Sequence, residues 1–262
     1  MSSEKIIRSQ ARASLKGNLV TLIAALGLCC AVAAAVEAAV YTVLMCLGVF
    51  DLETGELKES MQLVYTLGNV AAFAVCALLS PLVNGLIKTA FGAAKNGKAE
   101  IGDLLYFFGG AARYLKTLVI NLSLSMLIII PGFALDLTYI FQVFGIVSAE
   151  TAFDSVLNAF LYLFSVAFGT AVKLALYFIF MHYPLFAYSI GESESITHCI
   201  VGMLPFSIRH HGAVLKLFFS FTGWILLCFF VVPVIYVLPY MLVAMTDSVR
   251  WLIHDDRIKG IV

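Results

Sequence analysis

The feature that most constrains this chain is the way long apolar runs alternate with polar gaps of opposite character. Lys and Arg collect in every other gap, and the intervening gaps hold one, Lys58. Each hydrocarbon crossing needs about 20 apolar residues in a helix. Basic residues are retained in the short loops on the cytoplasmic side. Together these two rules predict an all-α, polytopic membrane bundle of six helices with both termini cytoplasmic.

Composition agrees and removes several classes. Of 262 residues, 62% are apolar and 12% are charged, against roughly 25% charged in soluble domains. The formal net charge of zero excludes the overall basic surface with which proteins grip nucleic acid. The apolar run after Asn18 is longer than the 7 to 15 residues typical of a cleavable signal core, so the N-terminal segment is expected to stay. Six cysteines (Cys29, Cys30, Cys46, Cys76, Cys199, Cys228) show no CxxC spacing. Burial as packing residues is the expected reading.

Along the chain, residues 1–17 read as a basic surface helix, 18–253 as the six-helix transmembrane domain, and 254–262 as a cytoplasmic tail. Lys5, Arg8, Arg12 and Lys16 step by three or four and share one stripe, beside a face of Ile7, Ala11 and Leu15. That stripe suits anionic lipid headgroups; a solvated tail that only sets topology is the alternative. The first span, about Leu19 to Phe50, is longer than a bilayer requires. Within it Gly27, Ala31 and Ala35 recur every four residues, a pattern that lets another helix backbone approach closely.

Span two covers about Met61 to Leu86, with a break at Pro81 and Lys88 placed to snorkel inward. Asp103 is placed to cap an aromatic-rich helix that follows it. Span three, about Leu115 to Ile130, is expected to stop at Pro131-Gly132. An acidic external gap follows, with a half-buried segment at about residues 137–147. Span four takes about Val156 to Tyr188. Spans five and six, about Leu217 to Phe230 and Ile235 to Leu252, are separated by a turn with Pro233, and Pro239 follows as a further helix break.

The motifs of reaction chemistry fail on inspection. GAAKNGK at Gly92 to Lys98 fits the phosphate-loop spacing, but Ala99 replaces the hydroxyl that would hold magnesium and a membrane helix replaces the strand. HExxH and GxSxG are absent from the sequence. His210 and His211 are adjacent and point about 100° apart on a helix, so they do not form a metal pair. No cofactor and no metal are expected.

Two charges fall inside apolar runs, Glu37 and Lys173. Burying an unpaired charge in hydrocarbon costs several kcal/mol, which makes such residues functional candidates by default. Glu37 belongs to the outer half of its span and Lys173 to the inner half. A direct pair is therefore not expected, and two readings stay open: a proton or ion relay, or placement at the two interfaces by an overlong helix and a snorkelling stem.

Several segments carry a likeness to a known family. ARASLKGN at Ala11 to Asn18, PLVNGLIKTAF from Pro81, Asp103-Leu104-Leu105 with Phe108, IIIPG at Ile128, and Phe219 to Tyr240 resemble the bacterial integral membrane family catalogued as domain of unknown function 975. The likeness is strongest from about Tyr183 to Trp251, and about fifty residues intervene before Tyr183 where that family has a shorter connection. The family is more distantly similar to the membrane portion of some glycerophosphodiester phosphodiesterases, which carries no catalytic residues. The resemblance implies a membrane module rather than an enzyme. The expectation is a multi-pass protein of the bacterial cell membrane, non-enzymatic, with an accessory or scaffold role; a small transporter or channel with polar residues at proline-broken helices is the alternative. Its expected partners are membrane lipids and a membrane protein, a second copy of the chain included, and not nucleic acid.

Overall fold

A computed structural model describes residues 3–51, 57–134, 140, 144–146, 154–191, 195–227 and 233–258. Among them there is no strand, only an isolated antiparallel bridge between Phe50 and Leu57. Four helical stretches, Leu19–Cys46, Gln62–Asn96, Ala111–Gly132 and Val156–Gly191, are long and apolar enough to cross a membrane. The chain divides into two compact units, one of residues 1–118 and 222–247, the other of residues 119–221 and 248–262.

In the first unit, helix α1 (Ser3–Leu15) owes its placement to the four-residue spacing of Ile7, Ala11 and Leu15, all of them buried. It packs against α4 (Pro81–Asn96). The turn that ends it uses Gly17 at φ +91°, a left-handed conformation that glycine adopts without steric cost. Helix α2 (Leu19–Cys46) then runs about 42 Å at 1.5 Å per residue. It returns through Phe50 and Leu57 into α3 (Gln62–Leu79), whose Gly68 lies close against the Leu44 side chain. Tyr41, Phe50 and Tyr65 gather at that end, with ring centroids 5.2 Å and 5.9 Å apart.

Ser80 separates α3 from α4, and Pro81 occupies the first helical position of α4, where its missing N–H removes no bond. The break expected at Pro81 is thus a junction between two helices. Helix α4 is buried on most of its circumference, because α1, α2 and a 3₁₀ segment (Ile101–Phe108) all pack on it. Gly85 meets the 3₁₀ segment so closely that a Cβ there would fall on the Leu104 carbonyl oxygen. Asp103 lies within the 3₁₀ segment instead of capping a helix, and the α-helix begins later, as α5 (Ala111–Ala134).

Within this unit the small-residue stripe of α2 is not the face that packs. Gly27, Ala31 and Ala35 are exposed, and a Cβ at Gly27 would meet nothing within 4 Å. The opposite face does the packing: Ala25, with Leu26, Cys29 and Val32, joins Leu79, Leu82, Leu86, Leu104 and Phe108. Larger side chains fill that seam because α4 and the 3₁₀ segment offer leucines, not a flat backbone.

In the second unit, α6 (Val156–Tyr177) starts at Ser155, whose hydroxyl accepts the Asn158 N–H at 3.1 Å. It passes through a single π turn (Phe178–His182) into α7 (Tyr183–Gly191), buried from Tyr183 to Ser189. Another π turn (His198–Gly202) leads into α8 (Met203–Phe219). The aromatic pairs Phe178–Phe218 at 4.9 Å and Tyr183–Phe206 at 5.7 Å lock these helices together, each pair adding about 0.5–1.5 kcal/mol beyond its buried area.

Two further helices are α9 (Thr222–Leu227) and α10 (Val234–Ile258). Two expected helix breaks are corrected. Pro131 lies inside α5 and Pro239 inside α10. Pro131 falls in the last turn of its helix, where the lost N–H frees only the Leu127 carbonyl, and Pro239 is buried within α10. Pro233 does sit at a boundary, in the turn that opens α10. The tail expected from residue 254 is instead the last turn of α10 up to Ile258. The external segment expected at residues 137–147 lies largely outside the described residues.

Candidate functional site

Among the described residues, buried polar side chains join remote elements in both units. In the first unit the centre is Asn18, 5% exposed. Its amide Nδ2 donates to the Ser14 carbonyl at 2.8 Å and to the Gly97 carbonyl at 2.9 Å, while its Oδ1 accepts the Ala99 N–H at 2.7 Å. One side chain therefore clamps the α1–α2 junction to the turn after α4. That turn needs Gly97 at φ +70° as the C-cap of α4. The phosphate-loop spacing at Gly92 to Lys98 is thus a helix end, with the Gly97 carbonyl committed to Asn18.

The clamp fixes α1, and Tyr240 of α10 fixes it again. The Tyr240 hydroxyl donates to the Arg8 carbonyl at 3.2 Å, and the Arg12 guanidinium lies 5.9 Å from the Tyr240 ring centroid. Of the basic stripe, Lys5, Arg12 and Lys16 stay exposed and Arg8 is half-buried. Lys95 and Lys98 are exposed as well. Sequence pattern alone does not reveal Asn18 as the organiser, since its partners lie 79 and 81 residues away.

Beside this junction, the Lys88 ammonium lies 3.6 Å from the Tyr106 ring centroid and the Arg113 guanidinium 4.1 Å from it. Lys88 therefore rests on an aromatic ring instead of reaching freely outward. Arg113 Nη1 also donates to the Tyr106 carbonyl at 3.1 Å. Partial burial pushes the Asp103 carboxyl above its ordinary range; Lys88 pulls it partly back, and Glu100 adds to the rise. A hydrogen bond to Glu100 raises the Lys98 ammonium.

In the second unit, Asp256 is 1% exposed and accepts from His210 Nε2 at 2.9 Å and from Arg209 Nη1 at 3.3 Å. The Tyr183 hydroxyl donates to the His210 carbonyl at 2.6 Å. These bonds hold the end of α10 on α8 and α8 on α7. His210 is thus drawn into a buried pair, away from the open basic surface on which its sequence neighbours place it. His182 is buried against Phe186, ring centroids 4.4 Å apart, and its Nε2 has no hydrogen-bond partner.

The two charges inside apolar runs are both exposed at their side chains. Glu37 lies within α2, about one turn before Tyr41, and belongs to the first unit. Lys173 lies on α6 in the second unit, and its Cγ would sit 3.6 Å from a Cβ at Gly132, so its stem crosses α5 just after Pro131. Among the described residues, no three His, Cys, Asp or Glu side chains gather as metal ligands. Five cysteines, Cys29, Cys30, Cys46, Cys76 and Cys199, are free thiols. No protein-family model, no curated protein and no solved structure matches the chain.

Proposed function

We propose that this chain is a non-enzymatic accessory or scaffold module of the bacterial cell membrane, crossing it six times with both termini on the cytoplasmic face. The observation that carries this reading is how the buried polar side chains are used. Asn18 and Asp256 each join elements distant in sequence. Asn18 does so through backbone groups and Asp256 through the Arg209 and His210 side chains. A side chain that satisfies polar groups of remote elements in this way stabilises a fixed frame, and removing it leaves the buried ones unpaired at a cost of about 1–3 kcal/mol each. Such a frame presents surfaces to partners: lipid at the basic ends of the helices, and another membrane protein or a second copy along the apolar faces. The likeness to the membrane family catalogued as domain of unknown function 975 points the same way, as does the gathering of Lys and Arg in alternate gaps.

The runner-up, a small transporter or channel, was attractive for its proline-broken helices. With Pro131 and Pro239 inside α5 and α10, it rests on the breaks at Pro81 and Pro233 and on Glu37 and Lys173. Purified full-length protein in proteoliposomes separates the two. The scaffold reading expects no ion or solute flux above empty vesicles, and expects a protein to copurify from native membranes in fixed ratio. A saturable flux that Glu37→Gln or Lys173→Gln abolishes without unfolding the protein would replace it with the transporter.

A further inference from the structure

The Asn18 clamp does more than close the fold: it brings two basic segments, far apart in sequence, to one edge. Lys16 is two residues before Asn18, and Lys98 lies between the two backbone groups that Asn18 holds, the Gly97 carbonyl and the Ala99 N–H. Lys95 is one turn earlier, at the end of α4. All three lysines are exposed. Lys98 pairs with Glu100 at 2.9 Å, with side chains 76% and 61% exposed. An exposed pair of that kind holds its partners weakly and exchanges readily.

We propose that Lys16, Lys95 and Lys98 form one composite site for the phosphate of an anionic phospholipid headgroup. The ligand class follows from where the edge lies. Helix α2 begins at Leu19, immediately after the clamp, and the stretch Gln62–Asn96 ends immediately before it. Both are long and apolar enough to cross a membrane, so their shared basic end falls at headgroup level, where anionic lipid attracts each Lys or Arg. The buried, fully bonded Asn18 sets the spacing between the two segments in advance, so the cations need little ordering when a phosphate arrives. The site rests on the membrane reading given above, and adds to it a defined ligand and two residues outside the N-terminal stripe.

The test uses the full chain purified in non-ionic detergent, titrated with phosphatidylglycerol or phosphatidylcholine of matched chains, with bound lipid counted by native mass spectrometry. Phosphatidylglycerol should be retained at least about tenfold better. Lys16→Gln and Lys98→Gln should each weaken it about fivefold, as expected for one cation lost near an anionic headgroup. The double variant should lose less than the product of the two, because both lysines hold one phosphate. Lys216→Gln, on α8, should leave binding unchanged. Equal loss with Lys216→Gln, strictly multiplicative losses, or no preference for phosphatidylglycerol would each overturn the site. Competition by millimolar glycerol phosphate would assign it to a free phosphate and overturn the lipid ligand. Membrane fractionation at alkaline pH distinguishes the layers: a chain released from membranes defeats the membrane reading, whereas a retained chain without lipid preference defeats only this site.

Discussion

Gly85→Ala is the substitution on which the packing of the first unit can be judged. The new methyl would fall on the Leu104 carbonyl oxygen, a backbone atom that has no rotamer with which to move aside. Either α4 or the 3₁₀ segment must shift by more than 1 Å to reach ordinary van der Waals separation, roughly the scale on which packed interiors resist change. That segment carries Leu104 and Phe107, 1% and 0% exposed, so its displacement loosens two fully buried side chains. Overpacking costs about 1–3 kcal/mol, and against a backbone atom that cannot rotate away the upper part of that range, about 2–3 kcal/mol, applies. The better helix propensity of alanine returns about 0.8–1 kcal/mol. The net expectation is about 1–2 kcal/mol of destabilisation, with a melting temperature lowered by several degrees in detergent. Gly102→Ala is the control, since a Cβ there would meet nothing within 4 Å. Fluorescence-detected gel filtration after a temperature series reads both variants. If Gly85→Ala melts with the wild type, the contact between α4 and the 3₁₀ segment is wrong as drawn.

Other outcomes follow from the same structure. Asn18→Asp keeps the acceptor for the Ala99 N–H but cannot donate to the Ser14 and Gly97 carbonyls; it should lower stability by about 1–3 kcal/mol, and a wild-type melting curve would remove the clamp. On α2, Ala31→Leu should be tolerated because Ala31 is exposed, whereas Ala25→Leu should destabilise by about 1–3 kcal/mol because Ala25 is fully buried; the reverse order in melting would restore the small-residue stripe as the packing face. Asp103 has its carboxyl raised by burial, so the folded state binds the proton more tightly than the unfolded state. Its charged form therefore opposes folding as pH rises through the ordinary carboxylate range and beyond. Asp103→Asn should melt no lower than the wild type at pH 7, and the difference should vanish in acid, as thermal scans against pH will read.

Much of this was legible where the signal is local and periodic. The four-residue recurrence of Ile7, Ala11 and Leu15 marks the buried face of α1, and Ser80-Pro81 marks a helix junction, because such patterns depend on neighbours three or four residues away. The direction of the α2 packing face was not legible. Gly27, Ala31 and Ala35 mark a surface on which a helix could lie, but a small-residue pattern does not say whether this chain supplies that helix. Prolines mislead for a related reason: a helix carries Pro131 in its last turn, where one carbonyl is freed, and Pro239 in a buried stretch. Asn18 and Asp256 were hidden because their partners are remote in sequence. Asn18 reaches Gly97 and Ala99, and Asp256 reaches Arg209 and His210.

The membrane arrangement is the claim on which the rest depends, and single-cysteine accessibility in intact cells tests it most directly. In a background with the six native cysteines replaced, a cysteine at Glu56 should react with a membrane-impermeant maleimide added outside. A cysteine at Asn96, beside the turn that Asn18 clamps, should react only after the membrane is opened. Charge placement demands this pair of results, since the gap holding Glu56 has four acids and one lysine, while Lys95 ends α4 and Lys98 and Arg113 follow it. Efficient labelling at Asn96 from outside, with Glu56 protected, would contradict it.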